Sequence, residues 1–188
     1  MDPLGNAVVV GRQLDGDTHL TLRALTCPAG SDLWSPSQLV SAAGTEAGYP
    51  AITTDGSGLA TLAWANITTG STGIHVTTAQ IPANVWAAPV VISLPGVTPG
   101  YPAVGTNRAG RAAATWTTSS AGGTMTIQAA IRPGPSSPWG TPVTLSSSPT
   151  GVSNALPLVD NAGRVVAVWN ETPPGWVGQT TKTSTYLP

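Results

Sequence analysis

Charge is scarce in this chain of 188 residues: only 8% are Asp, Glu, Lys or Arg, against about 25% in typical soluble domains. Helices usually solubilise an outer face with Glu, Lys and Arg, so the shortage argues against a helical fold. Seven Lys and Arg are scattered along the chain, and the net charge is −1. They leave no basic stripe to displace counterions from phosphates, which argues against a nucleic-acid partner and against docking on anionic membranes. No apolar run approaches the ~18 residues of a membrane span. The start, Met1-Asp2-Pro3-Leu4, has neither the basic head nor the apolar stretch of a signal peptide, so any leader has been removed or the chain is a segment of something longer. Cys27 is the only cysteine, which excludes an internal disulfide and a multi-cysteine metal site. We read it as a small apolar residue of a strand or turn.

What the chain does hold is 22 Gly and 18 Pro, both helix breakers, and many Thr and Val, whose branched side chains suit a pleated surface. It also holds a repeat. Trp34, Trp86 and Trp139 lie 52 and 53 residues apart, each followed by Pro and, in the last two, by an apolar strand. Trp64, Trp116 and Trp169 repeat at the same spacings and end the apolar runs LATLAW, RAAATW and RVVAVW. Asp55-x-x-Gly58, Asn107-x-x-Gly110 and Asp160-x-x-Gly163 precede those runs at a fixed distance. Asp2-x-x-Gly5 is the fourth member, with Gly11 in its Trp slot. Three markers keeping one period identify a repeat architecture.

One copy reads as four strands. Strand A is Pro50 to Thr54, followed by the turn Asp55-Gly56-Ser57-Gly58. There Asp accepts backbone N–H groups and Gly supplies positive φ. Strand B is Leu59 to Trp64, apolar on both faces as a covered central strand should be. Strand C runs from Ile74 to Ala79. Strand D starts near Trp86 and continues through Pro89 to Ile92, and a polar link, Ser93 to Tyr101, leads to the next copy. A four-stranded unit of this length cannot bury both its faces alone, and radial stacking of copies solves that. The expectation is therefore an all-β, β-propeller fold of four-stranded antiparallel blades in one domain, with repeats near 1–49, 50–101, 102–154 and 155–188. A β-sandwich would need no such period.

The pattern D-x-x-G-x-apolar-x-apolar-x-W, then W-x-x-P-V, then a polar link, resembles bacterial extracellular repeat proteins of β-propeller type, mostly of unknown function. The resemblance falls on Asp55, Gly58, Trp64, Trp86, Pro89 and their equivalents and covers essentially the whole chain. It implies a propeller and an extracellular or cell-surface location, and it implies no catalytic residues. Departures are Gly11 for Trp, which predicts looser packing of the first copy, and Asn107 for Asp. The first copy lacks strand A, and the next outer Trp would fall at about residue 192. The first and last blades are thus expected to be incomplete, with open edges that recruit another chain.

Few residues carry chemistry. His19 and His75 both fall in strand C and are read as structural; a metal would want further ligands close by. Asp2, Asp55 and Asp160 are repeat equivalents in turns, which leaves no obvious carboxylate pair for glycoside hydrolysis. Asp15-Gly16-Asp17 falls short of the six or more oxygens that calcium takes. No catalytic residue, cofactor or metal site is assigned. Tryptophan is the one functional lead. Trp64, Trp116 and Trp169 end apolar strands and are read as core. Trp34, Trp86 and Trp139, at loop-to-strand junctions, and the off-period Trp176 are the candidate ligand contacts. The primary reading is a non-catalytic scaffold or protein-interaction module that binds a protein partner or a second copy of itself. The alternative is a carbohydrate-binding propeller with Trp-lined sites.

Overall fold

The computed structural model describes every residue except Asp17, Ser71, Ala121, Trp176, Leu187 and Pro188. Among the described residues there is no helix, hence none long and apolar enough to cross a membrane. The strands form four antiparallel sheets that follow one another along the chain. The first holds β1 (Ala7–Asp15), β2 (His19–Cys27) and β3 (Gln38–Leu39). The second holds β4 (Ala47–Thr54), β5 (Leu59–Asn66), β6 (Gly73–Gln80) and two short pieces on the outer edge of β6, β7 (Val85–Trp86) and β8 (Val90–Val91). The third is β9 (Thr98–Thr106), β10 (Ala112–Ser119), β11 (Met125–Arg132) and β12 (Val143–Ser148). The fourth is β13 (Val152–Val159), β14 (Val165–Glu171) and β15 (Thr180–Tyr186).

Each sheet is one copy of the sequence repeat. The first lacks strand A and the fourth lacks strand D among the described residues. Strand D is not the continuous run expected. It breaks between Trp86 and Val90 because Pro89 has no N–H for the ladder. The link after Ser93 is shorter than expected, since β9 already begins at Thr98. A bulge lets strand A start before its Pro. The register shifts between Gly48 and Ala51, opposite Thr115–Thr117 in sheet three, and between Ser153 and Leu156, and Tyr49, Tyr101 and Asn154 sit there with φ of 54°, 47° and 54°. Positive φ in a non-glycine residue is unusual and fits an over-determined bulge.

The turns between strands A and B are alike in all four copies. A side-chain oxygen of Asp2, Asp55, Asn107 or Asp160 accepts the N–H four residues on, at 2.8, 3.0, 3.0 and 2.8 Å. The Gly three residues on has φ between 80° and 91° in every copy, a conformation costly for any residue with a Cβ.

Extensive packing joins consecutive sheets: β1 and β2 to β4, β4 and β5 to β9, and β9 and β10 to β13. Among the described residues no packing of that extent joins the first sheet to the fourth. The core is three apolar clusters, one per junction. Leu62 and Trp64 meet Leu22, Ala24 and Val40 between sheets one and two. Ala114 and Trp116 meet Ala63, Ile74 and Val76 between sheets two and three. Ala155, Ala167 and Trp169 meet Ile127 between sheets three and four. Each strand-B Trp therefore faces the preceding sheet. In the first sheet Gly11 stands at the position of that Trp, with nothing within 4 Å of an added Cβ. β1, which carries Gly11, has no buried residue, whereas the equivalent strands β5 and β10 are mostly buried; on the other face of the first sheet Leu22 and Ala24 of β2 are fully buried.

Candidate functional site

The expected split between the two Trp series holds for burial. Trp64, Trp116 and Trp169 are 1%, 0% and 5% exposed. Trp116 Nε1 donates to Gln128 Oε1 at 3.1 Å, and the ring of Trp64 stacks at 5.5 Å on that of His75. His75 thus lies within the core layer.

The other series does not converge on one site. Trp34 is 46% exposed and lies in the loop before β3. Trp86 is half-buried against the cluster of sheets one and two, its Nε1 donating to Asn84 Oδ1 at 3.0 Å. Asn84 Nδ2 in turn donates to the carbonyl of Ala24 in sheet one at 3.2 Å, so this Trp is built into an inter-sheet brace. Trp139 is half-buried against the cluster of sheets two and three. Trp176 lies outside the described residues.

Trp139 borders open volume on two sides. On one side a cavity of about 580 Å³ runs between Val76–Thr78 with Ala87–Ser93 of sheet two and the loop 135–142. On the other a cavity of about 670 Å³ lies between sheets three and four, lined by Arg111, Ala113, Ala129, Ala167 and Tyr186 among others. The Arg132 guanidinium lies 5.6 Å from the Trp139 ring centroid. Arg132 is only 3% exposed and donates through Nη2 to Thr61 Oγ1 at 3.1 Å, in sheet two. Burial lowers its pKa and the carboxylate of Asp55 opposes that shift; a guanidinium stays charged regardless.

Two aromatic residues escaped the sequence reading. The rings of Tyr49 and Tyr101 meet with centroids 4.4 Å apart and planes tilted at 44°. They are 45% and 59% exposed, and both sit on the strand-A bulges. The hydroxyl of Tyr49, by hydrogen bonding and like charge, raises the pKa of Tyr101. The signal was present: Gly48-Tyr49-Pro50 recurs as Gly100-Tyr101-Pro102, one period apart.

The carboxylates are dispersed. Asp55 Oδ1 accepts the N–H and Oγ–H of Ser57, both at 2.8 Å, Asp160 pairs with Arg164 at 3.0 Å, and Glu171 accepts from Ser146 at 2.8 Å. Among the described residues no three of His, Cys, Asp and Glu gather as a metal site.

These features define an all-β repeat protein of four stacked antiparallel sheets. No family model and no curated protein matches the chain. Solved structures do resemble it. One is an endo-arabinase from Bacteroides thetaiotaomicron VPI-5482, with TM-score 0.58 and 14% identity over 98% of this chain and 72% of that one. Another is a protein of unknown function from Dyadobacter fermentans DSM 18053, with TM-score 0.62 and 11% identity over 96% of this chain and 49% of that one. At these identities the likeness is one of fold.

Proposed function

We propose that the four sheets are blades of a β-propeller and that the chain is a non-catalytic scaffold that binds protein, including a second copy of itself, outside the cell or at its surface. Radial arrangement is supported by contacts between equivalent positions one repeat apart. Gly56 N–H donates to the Arg108 carbonyl at 3.1 Å, Thr53 and Thr106 hydroxyls meet at 3.2 Å, and Asn107 Nδ2 donates to the Asp160 carbonyl at 3.0 Å. Rotationally related copies bring equivalent residues together only near their common axis.

The observation that carries the interaction reading lies at the two ends. Among the described residues β1 has a neighbour on one edge only, as has β15, and unpaired edges template further strands. Their sheets also expose large apolar residues: Val9 at 50%, Leu156 at 57% and Leu158 at 60%. The carboxylates of Asp2, Asp55 and Asp160 are committed to turns, which supports a non-catalytic role. The low charge, with Ser, Thr and Gly supplying polarity, supports the exported location. Light scattering over a concentration series tests the reading. Mass should rise toward twice that of one chain, and Leu156→Asp with Leu158→Asp should hold it at one chain. A strict monomer at every concentration overturns self-association.

A carbohydrate ligand is the second reading, favoured by the position of Trp139 between two open cavities; aromatic faces stack well on sugar rings. A glycan array with the wild type and Trp139→Ala decides it. Absence of binding at high-micromolar sugar counts against it.

A further inference from the structure

We propose that the cavity between sheets two and three binds an N-acetylated hexosamine, whose acetamido group stands where a side-chain amide stands one repeat earlier. The proposal rests on the carbohydrate reading and names the sugar class and the group that is read. Both walls belong to sheets that pack against a neighbour on either side. The template lies between sheets one and two. There the carboxamide of Asn84, 8% exposed, joins four groups. Its Oδ1 accepts from Trp86 Nε1 at 3.0 Å. Its Nδ2 donates to the Ala24 carbonyl, to Ser35 Oγ and to the Pro36 carbonyl at 3.2, 3.0 and 3.3 Å.

One repeat on, the same frame recurs without the amide. Val76 pairs with Val90 as Ala24 pairs with Gln38, and Ala87 donates its N–H to the Thr78 carbonyl as Ser35 does to that of Thr26. Val76, Ala87 and Ala88 are therefore the equivalents of Ala24, Ser35 and Pro36. Trp139 stands for Trp86, and the shorter Ser137 stands for Asn84. These five residues line the cavity of about 580 Å³, a volume that suits a small ligand rather than a single side-chain amide. The walls select an amide. The carbonyls of Val76 and Ala88 accept, whereas Trp139 Nε1 donates, so one ligand group must both donate and accept. An amide does so from separate atoms, as Asn84 does. A carboxylate only accepts and would face carbonyl oxygens of like partial charge. Arg132 lines the same cavity. It is 3% exposed, with its Nε buried and without a hydrogen-bond partner, and its positive charge favours the amide oxygen on that side. The half-buried Trp139 ring supplies an apolar face for the sugar, and Val90 and Val91 supply apolar contact for the acetyl methyl.

The probes are N-acetylglucosamine and N-acetylgalactosamine, titrated into the full chain and followed by the NMR shifts of the indole N–H signals. At least one should bind saturably with a Kd of about 1 mM and shift the Trp139 signal. Glucose and glucuronic acid lack the acetamido group and should bind at least about tenfold more weakly, since they leave its partners unpaired. Ser137→Asn supplies the chain's own amide. It should weaken the acetamido sugar at least about tenfold without lowering the urea midpoint. Trp139→Phe keeps an aromatic face, removes the Nε1 donor and should also weaken that sugar. No saturable binding of either probe up to about 10 mM, equal binding of glucose or glucuronic acid, or undiminished binding by the two variants overturns the site. If both probes fail while other sugars on the array still bind through Trp139, the acetamido site alone falls and the carbohydrate reading stands.

Discussion

Replacing Trp116 by Ala tests the claim that strand-B tryptophans hold the sheets together. Trp116 is 0% exposed and touches both sheet two, at Ala63, Ile74 and Val76, and its own sheet, at Ala114 and Ala130. An indole buries on the order of 200 Å², which at about 25 cal/mol per Å² comes to roughly 5 kcal/mol as an upper figure. Trp-to-Ala changes in cores cost about 3–5 kcal/mol, and the value within that range depends on how far the site can collapse. Collapse is limited here. Four of the surrounding residues, Ala63, Ala65, Ala114 and Ala130, have no rotamer with which to fill a void. Deletion also strands the Gln128 oxygen, on a residue 7% exposed, at about 1–3 kcal/mol. The loss should lie at or above about 5 kcal/mol, comparable to the whole stability of many domains. Urea unfolding followed by circular dichroism reads it, with Trp34→Ala as the control. That ring is 46% exposed, and its removal should cost less than about 1 kcal/mol. A Trp116→Ala protein within about 1 kcal/mol of wild type would refute the inter-sheet role, as would equal losses at the two positions.

Gly105→Val should cost more than about 2 kcal/mol, because a Cβ there would lie 2.5 Å from the Pro157 carbonyl oxygen of sheet four. Gly11→Trp should be near neutral in the same urea assay. Asp2 is held below its ordinary pKa of 3.8: burial raises it, but hydrogen bonds from the Asn6 side chain and from the Asn6, Leu4 and Gly5 backbones outweigh that. Its ionised form therefore stabilises the fold fully above 3.8, and that contribution fades as pH falls through the folded-state value. Asp2→Asn should remove this part of the acid sensitivity, seen as a smaller stability difference between neutral and acid pH. Tyr49→Phe should return Tyr101 from its raised pKa toward 10.0, read from phenolate absorbance on alkaline titration of the two proteins.

The period carried most of the architecture because its markers answer to different physical needs. The Asp or Asn and Gly of each turn serve the local chain, through the accepted N–H groups and positive φ, so they recur even in the first copy, where the Trp does not. The strand-B Trp serves the neighbouring sheet: Trp64, Trp116 and Trp169 each join the apolar cluster shared with the sheet before their own. Strand lengths were less legible. Extension of strand A ahead of Tyr49 and Tyr101 depends on a bulge whose positive φ falls on residues that do not advertise it. The Gly-Tyr-Pro recurrence was visible but says nothing by itself about two rings meeting. The cavities beside Trp139 were out of reach too, since they arise from what two sheets leave unfilled. Arg132 was hidden for a similar reason: its strand-C equivalents are Cys27 and Ala79, so no periodic signal marks a guanidinium that reaches across to Thr61.

The departures from the repeat gather at its two ends, and they differ in kind. Inside the stack, strand A turns small residues toward the next sheet: Ala103 and Gly105 in sheet three, where sheet four comes within 2.5 Å of a Cβ on Gly105. The fourth sheet has Leu156 and Leu158 at those positions, both exposed. A fifth sheet could not approach it as closely as the four approach one another. Whatever covers that face must leave room for two leucines. The first sheet, without strand A and with Gly11 in the Trp slot, offers that room, and its Val9 supplies an apolar surface. Head-to-tail contact between the fourth sheet of one copy and the first of another would therefore match added volume with missing volume. This is why Leu156 and Leu158, rather than either open strand edge, are the residues whose replacement by Asp should dissociate the assembly.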